Sequence, residues 1–206
     1  MPLISERLLR FLTALGRRIE FLVTGQTEYQ VLTNEFAGIE QVNDSLRARM
    51  FLEEVEKFLM EIFGIKVTKP VLVELVDEGQ WNLNSTYFMF SGTLGRYQYQ
   101  KMGKNNVHLI YILKGLRKQR YKAILAHELS HAYEREKGVL KHNKGMREGL
   151  ARWIEYKLLI KEGELAEAKK ILKIRHWAFG RGIKKILELE KQMGERQLVE
   201  YIKNIE

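Results

Sequence analysis

Residues 127–131 read His-Glu-Leu-Ser-His, and this pentad constrains the fold more than any other feature of the chain. Residues four apart share one face of a helix, so His127 and His131 can offer two imidazoles to one ion only if the segment is helical. The flanking Ile124, Leu125, Ala126, Ala132 and Tyr133 suit a buried helix. Glu128 sits beside the same face and is the candidate to take a proton from a metal-bound water. On that basis we expect one catalytic zinc ion and hydrolysis of a peptide bond, with Glu128 as general base. Cysteine is absent, so any metal must be held by His, Asp or Glu.

A catalytic zinc takes a third protein ligand and keeps one position open. Glu134 and Lys137 occupy the places where the long metzincin pattern needs Gly and His, which excludes that class. Two candidates remain. Glu148 opens the next helical segment, where an antiparallel return would bring it opposite the histidines, with Gly149 allowing close approach. His142, in the preceding loop, would complete a histidine triad. Glu155 is a candidate acceptor for the second ring nitrogen of a ligating histidine. Arg152 and Tyr156 are candidate oxyanion donors, with His176 a remoter one.

The period of apolar residues sets the architecture around the motif. Residues 3–15 and 43–63 read as helices, the second capped by Asn43, ended by Gly64 and apolar at Leu46, Met50, Leu52, Val55, Phe58, Leu59, Ile62 and Phe63. Residues 67–76, 84–90, 93–100 and 107–113 read as strands, making a sheet of about four strands, with 19–23 a separate candidate strand before the helix at 43–63. After Arg117 the pattern is helical, at 119–137, 146–161, 164–178, 182–193 and 195–203, punctuated by glycines. This order predicts an α+β fold, a small mixed sheet followed by the motif helix and a mainly helical C-terminal part. We expect an appendage at 1–45 and one domain at 46–206.

The formal net charge is +9. From Gly79 to His127 there is no acidic residue, while Arg96, Lys101, Lys104, Lys114, Arg117, Lys118, Arg120 and Lys122 fall there. A solvated face explains such a run, and so does attraction of an acidic polypeptide; nucleic acid is the less favoured partner. No stretch reaches the ~18 apolar residues of a membrane span, and Glu6, Arg7 and Arg10 interrupt the N-terminal segment, so we expect a cytoplasmic protein without a membrane partner.

The stretch YILKGLRKQRYKAILAHELSHAY followed by GMREGLARWIEYKLL resembles the peptidase domain of the DA1 family of plant growth regulators. Residues 63–75 and 179–203 extend the likeness. The resemblance implies a zincin-like, gluzincin-type metallopeptidase whose third ligand is the second glutamate of a Glu-Glu-Gly segment. That glutamate falls on Glu148; the first is replaced by Arg147. The LIM and ubiquitin-interacting modules of those proteins have no counterpart in this sequence. Two further readings stay open. One is a SprT-like nucleic-acid-associated protease with a histidine triad. The other is a catalytically silent, zinc-containing binding module.

Overall fold

The computed structural model describes residues 41–77, 94–140, 143–173 and 177–204. The helix expected at 3–15, the strands expected at 19–23 and 84–90, and His142 and His176 lie outside them. The described elements run β1 (Gln41–Val42), α1 (Ser45–Phe63), β2 (Val71–Val76), β3 (Gly95–Met102), β4 (Asn105–Leu113), β5 (Leu116–Arg117), α2 (Lys118–Lys137), α3 (Lys144–Lys161), α4 (Leu165–Leu172), α5 (Trp177–Met193) and α6 (Glu195–Lys203). This is the α+β order expected, a small mixed sheet and then mostly helices.

Among the described residues the sheet has three strands in the order β2-β4-β3, and β1 pairs with β5 in a separate ladder. β4 is central, parallel to β2 with Val71 opposite His108, and antiparallel to β3 with Tyr99 opposite His108. The β3–β4 hairpin turns at Gly103, whose φ of 62° suits a residue without a side chain. Val42, on the N-terminal side of the expected boundary, is fully buried in the core.

α1 begins at Ser45, two residues after the expected start at 43. Asp44, not Asn43, caps it, its carboxylate accepting from the Arg47 amide at 2.8 Å. Gly64 ends it in the left-handed conformation. The buried face is Ala48, Phe51, Val55, Phe58, Leu59 and Phe63, whereas Leu46, Met50 and Ile62 are exposed. Phe63 carries this face onto Trp153 of α3, ring centroids 5.0 Å apart.

α2 is the central beam, packed against β3, β4, α1 and α3. Every residue from Tyr121 to Glu134 is buried, so it is covered on all sides rather than lying with one face in water. Burying its polar groups is tolerable only if they are paired. Lys122 meets Glu162 at 2.5 Å and Glu54 at 3.0 Å. Glu136, near the C-terminal end, accepts from the Thr68 amide (2.9 Å), the Thr68 hydroxyl (2.6 Å), the Lys69 amide (2.7 Å) and His108 Nε2 (2.9 Å). That cage ties α2 to β4 and to the segment entering β2.

Candidate metal centre

His127 and His131 lie one turn apart on α2, their rings 5.0 Å apart and edge to face. The loop after α2 reverses the chain into α3. Asn143 caps α3, its side chain accepting from the Met146 amide at 3.0 Å, which places Glu148 in an early turn facing the two rings. Glu148 Oε2 is 3.8 Å from His127 Nε2 and 3.9 Å from His131 Nε2. All three residues offer ligand atoms within 4.8 Å of one another. Donors bonded tetrahedrally at zinc distances would stand about 3.4 Å apart, so a small contraction of side-chain torsions completes the set.

Gly149 does what was expected of a close-approach residue, but against a different helix. A β-carbon there would meet the backbone of Gly182 in α5 at 2.4 Å, and one on Gly182 would meet the Gly145 carbonyl at 2.1 Å. The α3–α5 contact, not α2–α3, requires the glycines.

Behind each imidazole stands a carboxylate, and behind each carboxylate an arginine. His127 Nδ1 is 3.2 Å from Glu155 Oε2, close but not aligned as a hydrogen bond. Glu155 is fully buried and receives Arg120 and Arg152, each at 2.7 Å. Burial pushes the Glu155 carboxyl up, but the two guanidinium groups outweigh it and hold it well below the usual range. His131 Nδ1 is 3.0 Å from Glu134 Oε2, which also accepts from Arg147 Nε at 2.8 Å. The Glu134 hydrogen bond orients the His131 ring, and both rings turn Nε2 toward Glu148. Burial and the nearby Arg152 charge push His127 down to about 3, keeping it neutral, as a ligand must be. For His131, burial acts downward, but Glu134 prevails and raises it; metal binding would displace that proton.

Of the residues expected from sequence, His127, His131, Glu148 and the supporting Glu155 come together. Glu134 and Arg147 were not singled out for these roles. The signal for Glu134 was its place three residues after His131 on one helix face; Arg147 stood out only as the replacement of a glutamate.

The expected catalytic residues fare differently. Glu128 is adjacent and buried, and burial pushes its carboxyl up to about 7. β3 closes over it, since a β-carbon on Gly95 would lie 2.8 Å from Glu128 Oε1. Arg152 is near the cluster, but its Nη1 is engaged with Glu155. Tyr156 packs against the hydrophobic core.

The fold and this cluster define an α+β domain with a candidate His-His-Glu metal site. Residues 90–205 match the DA1-like family, described as Protein DA1, and the chain belongs to that family. No curated protein and no solved structure matches it. These findings correct the expectation of a gluzincin-type peptidase. The family description names no hydrolytic activity, and what the structure assembles is a set of metal donors. The hydrolase and metalloprotease assignments drawn from the pentad are therefore replaced by a DA1-like domain with a candidate metal site.

Proposed function

We propose that this chain is a DA1-like zinc-binding module of zincin-like fold, in which the ion joins α2 to α3 and maintains a binding surface without turning over a peptide. His127, His131 and Glu148 are its ligands. Imidazole and carboxylate donors suit zinc, and the chain has no cysteine to offer a softer metal. The observation that carries the reading is the convergence of three ligand atoms within 4.8 Å, with both imidazole Nδ1 atoms backed by carboxylates.

The silent character is supported by closure. His127, Glu128 and His131 are 8 %, 6 % and 8 % exposed. Three protein ligands leave a fourth position at the ion, and the burial of these side chains restricts the access of a polypeptide to it. The partner we propose is an acidic polypeptide drawn to the basic residues between β3 and α2.

Elemental analysis of purified protein is expected to find about one zinc per chain, and removing it should lower the melting temperature. At free zinc about a hundredfold above Kd, the ion adds ~2.7 kcal/mol of stability. Incubation of the zinc-loaded chain with an unfolded acidic protein should give binding and no cleavage above that of Glu128→Gln. Cleavage by wild type that Glu128→Gln abolishes would refute the silent reading; no zinc uptake by wild type would refute the module itself.

A further inference from the structure

We infer that Arg147 is a positioning residue for the metal centre, acting through Glu134 on the ligand His131; this rests on the zinc-binding reading above.

The two histidine arms are built unequally. The carboxylate behind His127 is fully buried and held by two arginines. The carboxylate behind His131 has one arginine in its hydrogen-bond set, Arg147, through Oε2. Glu134 Oε1 is buried and has no hydrogen-bond partner among the described residues. A single oxygen therefore accepts from both the imidazole and the guanidinium. Without Arg147, the Glu134 carboxylate would keep only the imidazole as a hydrogen-bond partner and could turn about its side-chain torsions. That rotation frees the His131 ring from the orientation that aims Nε2 at Glu148.

The placement of Arg147 gives it a second consequence. It precedes Glu148 in the first part of α3. One residue ligates the ion from α3, and its neighbour steadies the carboxylate behind a ligand on α2. The two helices are thus joined by the ion and by the Arg147–Glu134 pair in parallel. A shift of α3 that moves Glu148 also moves the group holding His131, so the ligand set moves as a unit. Arg147 is about one-third exposed, its side chain 35 %, so substitution there does not open the core.

The test measures zinc Kd on the full chain by competition with a chromogenic chelator, for wild type, Arg147→Met, Arg147→Lys and Glu134→Gln, beside the melting temperature of each metal-free protein. Arg147→Met should weaken zinc about tenfold or more. Arg147→Lys should recover part of that, since an ammonium keeps the charge but not the fixed geometry of the guanidinium. The visible absorption of the cobalt-substituted protein should shift in Arg147→Met, reporting a changed ligand field. A purely structural role would lower the metal-free melting temperature and leave Kd and the cobalt spectrum at wild-type values; that result overturns the inference. If Arg147→Met fails to fold, unchanged Kd in both Arg147→Lys and Glu134→Gln overturns it equally. Absence of zinc binding by wild type is a separate result, since it removes the zinc-binding reading and this inference with it.

Discussion

His108 and His131 are both buried, both sit against a glutamate of α2, and both have Tyr97 beside them, with ring centroids 5.7 and 6.4 Å away. His108 has both ring nitrogens in use. Nε2 meets Glu136 at 2.9 Å and Nδ1 meets the Tyr97 hydroxyl at 2.9 Å. With Glu136 ionised, Nε2–H donates to the carboxylate and Nδ1 accepts the phenol proton. Nothing remains to bind an ion. His131 gives only Nδ1 to its glutamate, and Nε2 looks across at Glu148. The same pair of residue types therefore builds a clasp at one end of α2 and a metal donor nearer its middle. What separates them is whether the second nitrogen meets a phenol or a carboxylate on another helix.

The largest expected effect breaks the metal side alone. His127→Ala should weaken zinc by at least about 100-fold, since losing a ligand exceeds the usual loss for a supporting residue; chelator competition measures it, and an unchanged Kd would remove His127 from the ligand set. Glu136→Gln breaks the clasp alone. It should cost ~2 kcal/mol in denaturant unfolding, because the carboxylate serves several donors, while zinc Kd stays within about twofold. The same variant sharpens the pH dependence. Burial works against the Glu136 charge, but hydrogen bonds from Thr68, Lys69 and His108 bring its carboxyl down to about 2. A folded value below the unfolded ~4.3 means that its stabilisation is complete above the unfolded value and lost as pH falls toward 2. Acid titration of metal-free stability should show a shallower fall in Glu136→Gln than in wild type. Gly149→Ala is expected to cost ~1–3 kcal/mol by overpacking against Gly182 and to weaken zinc as well, so a destabilised variant with wild-type Kd would uncouple the helix crossing from the metal. The smallest effect belongs to Tyr97→Phe, at ~1 kcal/mol from leaving His108 Nδ1 unpaired, with zinc unaffected.

Much of the metal centre was legible because its information is local. The pentad places two imidazoles on one helix face whatever surrounds it. Glu148 follows from a helix, a loop and a return, although spacing alone left ligation level with the role of a first-turn glutamate at the helix dipole. The clasp was not legible. His108 read as part of a buried strand, and its partners Tyr97 and Glu136 lie on a neighbouring strand and on a helix, so no window of sequence contains the three. The buried face of α1 was misjudged for a related reason. Leu46, Met50 and Ile62 satisfy helical periodicity, yet the neighbours that cover the helix select Ala48 and Phe51 instead. Arg147 and Glu134 were visible as residues but not as a pair, because a contact between helices depends on their crossing, which periodicity does not encode.

The contact of Gly149 with Gly182 has a consequence for how much of the chain the metal needs. All three proposed ligands are in place by residue 148, and a fragment ending soon after α3 would contain each of them. Yet α5 is the wall against which α3 is seated, at a spacing too small for a single methyl group. The C-terminal helices thus act as the far jaw of a vise. A fragment without them would keep the chemistry of the site and lose the pressure that sets its width.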